Sequence, residues 1–137
     1  MIRTLKTLMG AMLIAGAVTM PTAAQAQVNR ELWFRNDCRH PVRFFVYHQH
    51  ADGNWVTHGW YEFAGNEANL RPTQGGRPLV HIEGRPLFMY VETTDGSRIF
   101  WEGQQLATFN GQEYALMQAT LSVRQGNLSF GVNCDNR

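Results

Sequence analysis

From Glu31 onward, apolar and polar positions alternate in short runs broken by turn residues, and no stretch carries an apolar stripe at helical spacing. Successive side chains on a strand point to opposite faces, so this period of two predicts β-strands. ELWFRN predicts a first strand over residues 31–36, followed by DCRHP, whose Pro41 favours an extended neighbour. VRFFVYHQH (42–50) and WVTHGWYEF (55–63) flank ADGN, and Asp52-Gly53 suits a hairpin connection between them. Glycines and prolines between Ala64 and Arg85 predict loops with short strands over 68–71 and 79–83. Residues 87–93 and 98–102 predict a second hairpin across Asp95-Gly96. Further on, Ala115, Met117, Ala119, Leu121 and Val123 hold the period of two into Gln125-Gly126, which predicts a long hairpin; a helical turn over 113–118 is the alternative. The fold class that follows is all-β, a small antiparallel β-sandwich or partly closed barrel.

The first 26 residues read differently. Arg3 and Lys6 precede an apolar run from Leu8 to Met20, and Ala24-Gln25-Ala26 is a small-x-small cleavage pattern. That is the form of a secretory signal peptide, and the run falls short of the ~20 residues that cross a bilayer. No Cys near the cleavage position offers a lipid anchor. The expectation is therefore a signal peptide over 1–26 and one β domain over 27–137, periplasmic or extracellular, with no stable membrane span after cleavage.

Removing the leader changes the charge. The full chain is formally +1, and losing Arg3 and Lys6 leaves the rest formally −1, with every remaining basic residue an arginine. Such a chain has no net attraction for a phosphate backbone, so no nucleic-acid partner is expected. The arginine fork suits ion pairs and stacking on rings, and it would serve an anionic glycan equally well.

The two cysteines, Cys38 and Cys134, lie near the two ends of the predicted domain. In an oxidising compartment an even pair predicts a disulfide. Closing so long a loop would contribute about 4 kcal/mol by restricting the unfolded chain.

His48 and His50 are two apart on one predicted strand and share a face, the beginning of a metal pair. A regular register from the ADGN turn sets His50 opposite Trp55, His48 opposite Thr57 and His58 opposite Tyr47. That leaves His58 on the other face; His40 and His81 could approach from loops but no spacing demands it, so His48 and His50 are weak candidates and no metal site or cofactor is expected. Glu92 and Glu102 lie on one predicted hairpin and would approach each other as a glycosidase pair must. GxSxG, HExxH and glycine-rich phosphate motifs are absent from the sequence, and an enzyme is not the expected class.

Aromatic residues carry more information. Trp33-Phe34, Phe44-Phe45, Trp60-Tyr61 and Phe100-Trp101 are adjacent pairs, and in a regular strand both members cannot enter one core. One of each pair must be covered by a second layer or form a recognition surface. Trp55, Trp60, Tyr61, Tyr90, Trp101 and Glu92 are the candidate binding residues. Gly59 and Gly103 fit bulges, or places where a ring lies on bare backbone.

Asn36, Trp55, Gly59-Trp60-Tyr61, Tyr90, Glu92 and the late Trp101-x-Gly103 fall in an order that resembles the bacterial domain-of-unknown-function 1036 family. The resemblance runs from Leu32 to Gly103 and departs at AGNEANL, where that family carries a Cys-containing turn. It implies an envelope or secreted location and no assigned activity. The expected function is an accessory or binding module contacting an envelope protein or glycan through its aromatic surface. The alternatives are an inhibitor of an envelope-degrading enzyme, acting through a protruding loop within 65–77, or a carbohydrate hydrolase using Glu92 and Glu102.

Overall fold

The computed structural model describes residues 27–135. The expected leader over 1–26 lies outside them. Two sheets and a small ribbon make up the fold. In the first sheet, β1 (Asn29–Asn36) lies between β13 (Asn127–Val132) on one side and β4 (Glu67–Leu70) with β7 (Val80–Ile82) on the other, and β12 (Ser122–Arg124) extends it beyond β13. In the second, β2 (Val42–Gln49) lies between β3 (Trp55–Phe63) and β8 (Leu87–Thr93). Beyond β8 come β11 (Gln112–Gln118) and β10 (Gln105–Phe109), and β9 (Phe100–Trp101) also pairs with β8. The ribbon is β5 (Thr73–Gln74) with β6 (Arg77–Pro78). Pairing is antiparallel except between β1 and β13, the first and last strands, which run parallel. The second sheet curls into a half-barrel.

Alternation explains the interior. Leu32, Phe34 and Asn36 of β1 and Val42, Phe44 and Val46 of β2 are fully buried between the sheets. Phe34 stacks on Phe44 at 4.1 Å, and Phe130 of β13 meets both rings edge-on at 5.3 and 5.8 Å. Burying one such ring contributes roughly 1.5–3 kcal/mol. Asn36 is the buried polar exception, and its side chain is satisfied: the amide donates to the carbonyls of His40 and Ala64, and its oxygen accepts from the Cys38 amide. It thereby positions the loop that carries the Cys38–Cys134 disulfide, which closes 96 residues of chain.

Several sequence expectations meet the structure closely: Trp55–Phe63 and Leu87–Thr93 are strands with the expected bounds. Among the described residues there is no helix, so the turn considered over 113–118 is instead part of β11. The long strand expected through Ala119 is broken, because β11 belongs to the second sheet and β12 to the first, and the chain crosses between them at residues 119–121. Ala119 plugs the interior at that crossing. Asn110-Gly111 closes the β10–β11 hairpin with φ of 50° and 79°, the positive values that a tight primed turn requires and that Asn-Gly supplies.

The β2–β3 register needs a larger correction. His48 pairs with Val56, Gln49 with Trp55 and Val46 with His58, one residue away from the regular register. The loop is shorter than expected, since the His50 amide already bonds the Asn54 carbonyl at 2.8 Å. Past a bulge at Gly59-Trp60 the expected offset returns, with Phe44 opposite Tyr61 and Val42 opposite Phe63. An extra residue in one strand moves every side chain on its far side to the opposite face. Gly59 permits the bulge because a β-carbon there would stand 2.9 Å from Phe45 Cα and 3.0 Å from the Phe44 carbonyl oxygen.

Candidate functional site

The outer face of the second sheet gathers the aromatic residues. Phe45 points away from the main interior yet is fully buried, because the β10–β11 hairpin curls over it. Phe109 stacks on it at 4.5 Å, Tyr114 and Trp60 meet it edge-on at 5.1 Å, and Leu116 closes the cluster. Of the adjacent pairs, Phe44-Phe45 is therefore buried on both faces. The Arg71 guanidinium lies 4.8 Å over the Trp33 ring.

Of the expected surface residues, Trp101 and Tyr90 are buried and Tyr61 is half-buried. Trp101 is 3% exposed and its indole N–H donates to the Asn133 carbonyl, leaving its neighbour Phe100 outside. Tyr61 falls beyond the bulge and packs inward, 5.3 Å from Phe44. Trp60, the bulged residue, turns outward. There the Arg43 guanidinium covers its ring at 4.2 Å while Arg43 Nε donates to Glu92 Oε1 at 2.6 Å. The Tyr90 hydroxyl donates to Glu92 Oε2 at 3.0 Å. Burial, then that hydrogen bond and the charges of Glu92 and Glu102, push the Tyr90 phenol well above its ordinary range. Glu92 thus has both oxygens engaged, whereas Glu102 is exposed. Toward the β2–β3 turn, Trp55 remains 39% exposed, 4.9 Å from Tyr47 and 6.0 Å from Phe88.

A second constellation occupies the inner face at the turn end of the same strands. The corrected register puts His58 beside His48 and His50, and β7 brings His81 from the other sheet. Nδ1 of His48 lies 3.0 Å from Nδ1 of His81, and Nε2 of His50 lies 3.2 Å from Nε2 of His58. One ligand nitrogen from each of His48, His50 and His58 falls within 4.8 Å of the others. The sequence expectation put His58 on the other face and let His81 approach only from a loop; the shorter β2–β3 turn brings His58 over, and His81 arrives on β7, paired to β1.

Proton positions follow from the partners. His81 Nε2 faces the Arg85 carbonyl at 2.8 Å and must donate to it. The neutral ring then has a lone pair on Nδ1, to which His48 Nδ1–H donates. His48 Nε2 is left as a bare acceptor, buried and without a hydrogen-bond partner. Burial, followed by the neighbouring rings of His81, His58 and His50, lowers the His48 pKa to about 3. Burial also lowers His58, with His50 adding to it, and lowers His81 despite the Arg85 carbonyl. These rings are neutral at pH 7, the form that binds metals.

The loop expected to protrude within 65–77 is the β5–β6 ribbon, exposed from Thr73 to Pro78 with Gly75-Gly76 at its tip. Its base is pinned where the Leu79 amide bonds the Pro72 carbonyl at 2.9 Å. Among the described residues no helix is long and apolar enough to cross a membrane. No family model matches this chain, and no curated protein and no solved structure matches it either.

Proposed function

We propose that the protein is an exported, non-enzymatic recognition module that contacts a partner protein of the envelope through the outer face of its second sheet. The observation that carries this reading is Trp55, an exposed indole set beside Tyr47 and Phe88 on a rigid strand. Trp, Tyr and Arg are the residue types that dominate binding energy at protein interfaces, and Arg43 with Trp60 continues the face away from the turn. A fixed sheet presents these rings with little ordering cost. Export is supported by the leader pattern and by a disulfide, which persists in oxidising compartments. The resemblance to the domain-of-unknown-function 1036 family belongs to the same proposal and rests on the spaced aromatic residues.

The test is capture from envelope extract by the tagged protein and by Trp55→Ala, with purified cell-wall glycan as a second bait. Loss of one protein band with the variant supports the reading. Identical recovery by both proteins refutes it, and selective retention on glycan replaces the partner class.

One alternative has its own support. The β5–β6 ribbon has the shape to enter a cleft, as an inhibitor of an envelope-degrading enzyme would. Replacing Gly75-Gly76 by two bulky residues would then relieve inhibition of a wall hydrolase while leaving partner capture through Trp55 unchanged.

A further inference from the structure

We propose that His48, His50 and His58 form a binding site for a divalent transition metal, Zn²⁺ or Cu²⁺, with His81 as the positioning residue behind His48. The cluster is separate from the outer aromatic face and does not depend on the function proposed for it.

Geometry is the first argument. Two imidazole nitrogens on one tetrahedral zinc stand about 3.3 Å apart when each bond is ~2.0–2.1 Å. His50 Nε2 and His58 Nε2 are 3.2 Å apart, and one nitrogen from each of the three rings lies within 4.8 Å of the other two. Two of the three residues are on β2 and the third is on its hydrogen-bonded neighbour β3, so the ligands are carried by paired strands rather than by a loop.

Proton accounting is the second. A buried histidine network with no ligand role would close on itself, as Asn36 does at the other end of β2. This one does not close: His48 Nε2 is buried and meets no donor among the described residues. A metal ion supplies the electron-pair acceptor that the bare nitrogen lacks.

Outer contacts are the third. A metal-bound histidine characteristically donates its other N–H to a fixed acceptor, which sets ring orientation and basicity. His48 donates to His81, and His81 is locked in turn by the Arg85 carbonyl. Imidazole ligands without a carboxylate select zinc or copper over calcium or magnesium, which require oxygen. His50, the least buried of the three, also borders a cleft of about 500 Å³ beside the β5–β6 ribbon. Three protein ligands leave a fourth position for water or an exogenous group.

The experiment uses protein purified without a polyhistidine tag and stripped with chelator, then titrated with Zn²⁺, Cu²⁺ and Mg²⁺ by calorimetry. The expected result is one equivalent of Zn²⁺ or Cu²⁺ bound with a sub-micromolar dissociation constant, a raised Tm, and no response to Mg²⁺. His58→Gln should weaken binding at least 100-fold. His81→Gln should weaken it roughly 10–100-fold at unchanged stoichiometry. His40→Ala, at the opposite end of β2, should bind as the wild type does. Because a core variant can misfold, the copper form of the wild type is also read by electron paramagnetic resonance, where three coupled imidazole nitrogens are expected. Weak binding that His58→Gln leaves unchanged, or a copper spectrum without multiple imidazole nitrogens, overturns the proposal.

Discussion

On the outer face of β2, Arg43 meets Glu92, Glu92 takes the Tyr90 hydroxyl, and the guanidinium lies flat on Trp60. On the inner face, His48 gives its one N–H to His81 and keeps a bare nitrogen. Both regions are rich in rings and both contain titratable groups. They differ in whether the polar atoms satisfy one another. A closed network stabilises and orients, and it has no valence left for a ligand; what the outer face offers a partner is therefore ring surface. The inner cluster is open by one lone pair, and an open valence in a buried site is where a small ligand belongs.

The largest effect tests whether the outer cluster is a second core. Phe44→Ala and Phe45→Ala should each cost about 3–5 kcal/mol in urea denaturation, although the two rings face opposite ways. A loss below 1 kcal/mol for Phe45→Ala would mean that the β10–β11 hairpin does not pack as a core layer.

Acid and alkali should separate the two regions next. His48, faced by His81, His58 and His50, is lowered from 6.5 to about 3. The unfolded chain takes up this proton below pH 6.5 and the folded chain only near 3, so this contribution is complete above pH 6.5. It falls as the medium is acidified, by about 1.4 kcal/mol per pH unit for this residue. Tyr90 is raised, so its contribution is present below the ordinary tyrosine value of about 10 and is lost above it. Urea midpoints of chelator-treated protein from pH 4 to 11 should decline on both limbs, and Tyr90→Phe should flatten only the alkaline one. Equal stability at pH 7 and pH 5 would contradict a buried, neutral histidine cluster.

Gly59→Ala links the regions, since the bulge presents Trp60 outside and His58 inside. The added carbon collides with Phe45, and a loss of about 1–3 kcal/mol is expected together with weakened metal binding. Wild-type stability with wild-type metal affinity would show that the bulge is not required. The smallest effect is Arg43→Lys, which keeps the charge and loses the planar fork. The ion pair is partly exposed, so less than about 1 kcal/mol should be lost, with no change at the histidines.

Much of this architecture can be read along the chain. Alternation placed β3 and β8 with their bounds, and an even pair of cysteines pointed to one bridge. Asn110-Gly111 was a readable hairpin signal that alternation further along obscured. The exchange of sheets at Ala119 was not readable, because an unbroken period of two looks the same whether or not the chain changes partners. Trp101 and Tyr61 looked like platform residues for a related reason: an adjacent aromatic pair shows that one ring must face away, not which one.

Strand positions and the bridge are local matters, written in the spacing of side chains and the number of thiols. Which rings are hidden and which histidines meet depends on a single inserted residue at Trp60, on a hairpin folding back over Phe45, and on β7 arriving from the other sheet. Those are long-range contacts. Their free energy comes from area removed from water between segments far apart in the chain, and no window of sequence contains both partners.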